Sequence, residues 1–194
     1  MRNKKNVKII AIALLCTLVI GAAIGIGVSA DDATGKKVAS IGKINLAYNA
    51  ELNLAVELTQ GDAYEGDLGL GVWPAGTKVE NMTEDNDIFI NYTVEKGTAV
   101  YHDDNDVPVT EDIYYAFSQG IAAKDIKTKY AFAAVVKTAD GTLLIGEVME
   151  CSVEGYIELR LNTEGVTVTD KQEALYEAVL AYGDAANELL NKAE

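Results

Sequence analysis

The sequence predicts a mainly β fold with C-terminal α structure (α+β): an Ig-like β-sandwich of about seven strands with a long C-terminal helix packed on it. Three observations carry this. Apolar residues occupy alternate positions from Ile44 to Leu58, the period of a strand with one buried face. Ala139-Asp140-Gly141 separates two apolar runs, a strong hairpin signal. After Asp170 the apolar spacing becomes helical.

Taken in order, the chain opens with Arg2, Lys4, Lys5 and Lys8, then 20 uncharged residues from Ile9 to Val28. Val28-Ser29-Ala30 is a small-residue cleavage pattern, followed by Asp31-Asp32. Residues 1–30 therefore read as a secretory signal peptide. The apolar run is also long enough to cross a bilayer, so an uncleaved anchor over residues 9–28 is the competing reading. Both readings place the remaining chain outside the cell. Residues 31–42 are polar and read as a tether. Residues 43–152 are assigned to the sandwich, and residues 153–194 to helices packed on it within one domain.

Ile44, Leu46, Tyr48, Ala50, Leu52, Leu54, Val56 and Leu58 form the first alternating set. It fits one long strand, or two with a turn at Asn49-Ala50. Leu68–Trp73 is a strand ended by Pro74. Asp87–Val94 alternates, with Ile88, Ile90, Tyr92 and Val94 on one face. Glu95-Lys96-Gly97 reads as a hairpin turn, and Thr98–Tyr101 as the returning strand. A polar loop follows from His102 to Asp112, then a strand over Ile113–Ser118. Ala122–Asp125 reads as a helical turn carrying the chain from an edge strand to the other sheet, with Tyr130 locking the corner. Tyr130–Thr138 and Thr142–Cys151 form the hairpin. Val153–Leu161 is a short helix. Asp170 with Glu173 makes a capping-box pattern ahead of a helix over about Lys171–Lys192. Leu175, Val179, Tyr182, Ala186 and Leu189 make the stripe expected to face the core.

Four of the 16 basic residues and none of the 30 acidic ones fall in the first 30 positions, leaving a net charge of about −18 beyond them. Such a chain repels nucleic acid and anionic lipid. Membrane contact is expected only through an uncleaved N-terminal segment. Past residue 30 one cysteine remains, Cys151, so core packing rather than an internal disulfide must hold the domain. Its position at the end of an apolar strand predicts a buried thiol.

Catalytic parts are sparse. Nucleophilic catalysis needs Ser or Cys beside His. The one histidine, His102, sits beside Asp103 and Asp104, which favour its charged form over a free base. One His and one Cys are too few for a zinc site. Carboxylates are plentiful, so a small carboxylate-dependent hydrolase is one alternative. No cofactor is implied, calcium apart: Asp103, Asn105, Asp106 and Asp112 offer clustered oxygen ligands, although without EF-hand spacing. Glu84-Asp85-Asn86-Asp87 is a second acidic cluster.

"GVWPAG", "YAFSQGIAAKDI", "ECSVEGYIELRL" and "ALYEAVLAYGDAANELL" occur in that order. Over residues 44–192 the chain thereby resembles a module of unassigned activity found in secreted and cell-surface proteins of Gram-positive anaerobes, mainly clostridia. The resemblance implies a β-sandwich with C-terminal helices on the bacterial exterior, and it brings no catalytic residue. The expected function is that of an exported, non-enzymatic structural or interaction module at the cell surface. Its partner would be a surface protein or a glycan, and a carbohydrate-binding module is the nearer alternative.

Overall fold

The computed structural model describes residues 37–49, 51–61, 65–85, 89–102, 108–163 and 167–192. The segment expected to be a signal peptide or anchor, residues 1–30, lies outside them. Among the described residues no helix is long and apolar enough to cross a membrane.

Eight strands and two helices are described. They are β1 (Ala39–Asn49), β2 (Glu51–Gln60), β3 (Asp67–Pro74), β4 (Phe89–Asn91), β5 (Glu95–His102), β6 (Pro108–Phe117), β7 (Tyr130–Lys137), β8 (Leu143–Cys151), α1 (Val153–Asn162) and α2 (Asp170–Asn191). The strands form two four-stranded antiparallel sheets, ordered β1-β2-β6-β5 and β4-β3-β7-β8. The sheets stack as in a β-sandwich, with one apolar cluster between them.

The alternating run proves to be two strands. Ile44 pairs with Val56, Leu46 with Leu54 and Tyr48 with Leu52, so the even positions of both strands share a face. Between Ile41 and Ile44 the register shifts. Before the shift Ile41 stands opposite Leu58, and both are buried. This bulge reverses the parity of β1, which is why the alternation is legible only from residue 44. β1 in fact begins at Ala39, within the stretch whose polar composition reads as a tether.

Three further expectations need correction. Glu95-Lys96-Gly97 is not a turn but the start of β5, paired with Tyr115, Tyr114 and Ile113. Gly97 is there because the Tyr115 ring lies over it: a Cβ would meet Tyr115 Cε1 at 2.9 Å. Val94 does not share the face of Ile90 and Tyr92; it packs in the inter-sheet core, and they pack in a second cluster. β6 is not an edge strand, since it lies between β2 and β5. The crossing itself is present: a single 3-10 turn, Ala123–Asp125, links β6 in one sheet to β7 in the other.

The second sheet is apolar on both faces. Phe132, Ala134 and Val136 of β7 enter the inter-sheet core, while Ala131, Ala133 and Val135 join Trp73 and Met82 on the outer face. Every residue from Ala131 to Val136 is buried. Gly69 and Gly71 make room for this second layer. A Cβ on Gly71 would fall 2.1 Å from Trp73 Cη2, and one on Gly69 would fall 2.7 Å from Tyr92 Cδ1. The two aromatic rings thus lie directly against glycine backbone. The segment after β3 closes over them: Trp73 Nε1–H donates to Thr83 O (3.3 Å), and Glu84 accepts from Tyr92 Oη (3.0 Å) and Lys137 Nζ (2.8 Å).

The β7–β8 hairpin turns where expected, with Gly141 at φ +86° and Asp140 accepting from the Thr142 N–H. The Ser152 hydroxyl caps α1 by accepting from Gly155 N–H. The capping box of α2 sits one residue earlier than read: Thr169 and Gln172 exchange bonds, and Asp170 and Glu173 stay in the first turn, where they favour the helix dipole. Val153, Tyr156 and Ile157 of α1 and Tyr176 of α2 join the inter-sheet core. The Tyr156 and Tyr176 rings meet edge to face at 6.2 Å. Burial, then Tyr176, holds the Tyr156 phenol well above its ordinary range.

Candidate functional site

The acidic residues expected to hold calcium do not come together in a described cluster. Asp103, Asn105 and Asp106 lie outside the described residues. Asp112 is not in a loop; it is on β6, where its carboxylate meets Lys96 Nζ at 2.6 Å. The same contact raises the Lys96 pKa. In the second acidic cluster Glu84 is tied to Lys137 and Tyr92, which hold its carboxyl below the ordinary range, and Asn86 and Asp87 lie outside the described residues. Among the described residues no group of three His, Cys, Asp or Glu is placed to hold a metal ion. Cys151 is half-buried and free, and desolvation pushes its thiol up to about 11. Its Sγ donates to Ser152 O, and the desolvation leaves little thiolate near neutral pH.

The outer face of the first sheet carries a different set. Glu57, Tyr115 and Phe117 point away from the core, as the β2–β6 register requires. The Tyr115 and Phe117 rings meet edge to face at 5.4 Å, and Tyr115 Oη donates to Glu95 at 3.0 Å. Glu57 is half-buried beside Gly42, and desolvation raises its pKa; Lys43 offsets part of this and Glu111 adds to it. Both carboxylates stand on an open strand surface.

The raised Glu57 pKa has a definite sign in stability. The folded state holds the proton more tightly than the unfolded chain, so this contribution is present at low pH and is lost as pH rises through the folded pKa. Glu57→Gln is therefore expected to leave the melting temperature unchanged below about pH 4 and to raise it relative to wild type above about pH 4.5. A pH series of thermal melts checks this; a difference that stays constant across the series would contradict it.

The third feature is α2, where Val179 and Ala186 of the expected stripe lie at the domain contact but Leu175, Tyr182 and Leu189 face outward. Leu175 is 54% exposed, Tyr182 68% and Leu189 71%. The core side is built instead from Tyr176 and Gly183, with Val179 and Leu180 packed beside them. Gly183 sits where a Cβ would come 3.0 Å from Ile126 Cδ1, so the helix lies close on the 3-10 turn. Lys127 then bridges both helices, 2.9 Å from Asp184 and 3.2 Å from Glu154.

On a helical wheel the arrangement has three sectors. One docks on the domain. The second, running from Ala174 through Leu175, Ala178, Ala181, Tyr182 and Ala185 to Leu189, is solvent-exposed and apolar. The third is a narrow strip of Asp170, Glu173, Glu177, Asp184 and Glu188. Because Leu189 is exposed, Leu189→Ala is expected to change stability by no more than about 0.5 kcal/mol. Denaturant unfolding measures this, and a loss above about 2 kcal/mol would mean the side chain is packed.

No family model matches the chain, and neither a curated protein nor a solved structure does.

Proposed function

We propose that this protein is an exported, non-enzymatic interaction module at the bacterial cell surface. The single observation that carries the reading is the exposed apolar sector of α2. A monomeric surface seldom leaves two leucines and a tyrosine in line along one helix unless something covers them. The helix is also fixed in place by Tyr176, Gly183 and the Lys127 bridge, so the exposed residues are presented on a rigid support. Export rests on the first 30 residues, and the cell-surface assignment on the resemblance given above. The Ig-like description of the sandwich rests on the β6–β7 crossing.

A photoreactive residue placed at Tyr182 tests the reading on intact cells, with the same residue at exposed Lys78 as reference. The expected result is a discrete cross-linked species from position 182 that is missing from position 78. Identical patterns from both positions would end the proposal.

Glycan binding is the second reading, and the Tyr115–Phe117 pair on an open sheet favours it. Trp73 does not contribute, because it is fully buried.

A further inference from the structure

From the charge pattern around the exposed sector of α2, we infer that its occupant is a basic amphipathic helix of another protein: an apolar seam flanked by Lys or Arg. This rests on the interaction reading above and specifies the partner's chemistry.

The sector is a straight track. Leu175, Tyr182 and Leu189 recur every seven residues, with Ala178 and Ala185 between them. Large residues alternating with small ones along a helix accept the knobs of a second helix. The alanines also let the two backbones approach closely. Sheet ligands or extended peptides would gain nothing from this spacing.

The flanks select the sign of charge. One flank of the track runs directly into the domain contact at Val179 and Ala186. A partner helix therefore has one open flank, and that flank is the acidic strip. Within α2 there are five acidic residues and one basic residue, Lys171. The whole chain carries −14. Asp184 and Glu188 of the strip are already paired with Lys127 and Lys192, so a Lys- or Arg-bearing flank on the partner would be attracted chiefly at Asp170, Glu173 and Glu177.

The same geometry disfavours a second copy of this chain. An antiparallel twofold pair of α2 helices sets acidic strip beside acidic strip and domain beside domain, and a parallel pair sets each acidic strip against the other copy's net-negative domain; like charges so placed repel. A chain of net charge −14 equally repels an anionic membrane.

The test uses the full-length protein and two synthetic peptide helices. Both have the same Leu/Ala heptad seam; one is flanked by Lys and its twin by Glu. A third peptide keeps the Lys flank and replaces the seam leucines with serine. Fluorescence anisotropy at near-physiological salt is expected to show the Lys-flanked helix binding at least about tenfold more tightly than either relative. Tyr182→Ser in the protein, at an exposed position, is expected to weaken that binding about tenfold with the melting temperature unchanged. Equal binding of the Lys and Glu twins overturns the inference, as does binding insensitive to Tyr182→Ser. Sedimentation showing a dimer that Tyr182→Ser dissociates overturns it too, in favour of a second copy. If the cross-link from position 182 is found but the twins bind equally, the partner chemistry falls and the interaction reading stands. If the cross-link is also missing, both fall.

Discussion

Trp73→Ala is expected to destabilise the protein by about 3–5 kcal/mol, the range for removing a large buried aromatic. Trp73 is fully buried, yet it does not lie between the sheets. It fills the outer layer of the second sheet, against Gly71, under the segment that carries Met82 and Thr83. Removing it leaves a hole lined by Met82, Ala131, Ala133 and Val135, and three of these four side chains are too small to collapse into it. The covering segment also loses the bond from the indole N–H. For a domain of this size the melting temperature should fall by about 6–20 °C. Denaturant and thermal unfolding read the effect directly. A loss below about 1 kcal/mol would show that the outer layer is a loose cover and not a second core.

Tyr176→Ala has the next largest expected effect, up to about 3–5 kcal/mol by the same reasoning. Tyr176 is 5% exposed and is the one large α2 side chain fully within the inter-sheet core. The loss has a ceiling. Once docking α2 is worth less than leaving it undocked, the helix detaches and the sheets remain. Amide hydrogen exchange distinguishes the two regimes. Residues of α2 are expected to lose protection in the variant while Ala131–Val136 of β7 keep theirs. Equal loss in both would mean that helix and sheets unfold as one unit.

The sheets were largely legible, because period-two alternation has one physical cause, a face toward the core. β2 and the β7–β8 hairpin follow it closely. Where the pattern misled, a local feature had broken the link between spacing and face. The bulge at residues 42–43 hid the first residues of β1. Gly97 has the composition of a turn but serves as the floor for a tyrosine ring on a partner strand, and strand partners cannot be read from one sequence. The glycines at 69 and 71 are the same device for Tyr92 and Trp73.

The α2 face was not legible for a different reason. Outside its acidic strip the helix is apolar or small almost all the way round, so spacing alone offers two candidate faces. Gly183 was the discriminating signal. A glycine costs about 1 kcal/mol against alanine inside a helix, and the close approach to Ile126 accounts for that cost. The side bearing Gly183 is the docked side, which leaves Leu175, Tyr182 and Leu189 outside. At Asp112 acidic composition suggests a loop, whereas cross-strand pairing with Lys96 suits a strand.

The register shift in β1 has a counterpart in β8, where pairing with β7 is irregular between Ala133 and Val135. The two irregular stretches abut. Gly146 of β8 lies so close to β1 that a Cβ would fall 2.4 Å from Ala39 O, and Glu147 accepts from the Ile41 N–H at 3.1 Å. An outer strand of each sheet is thereby turned toward the other, with part of its hydrogen-bonding row already occupied. Strands at sheet margins are where polymerisation between chains begins, and distorted, occupied margins resist it. Of the other two margins, β4 is only three residues long and β5 carries Lys96. With Cys151 free and no disulfide among the described residues to secure the sheets, this arrangement is a barrier against runaway assembly into fibres.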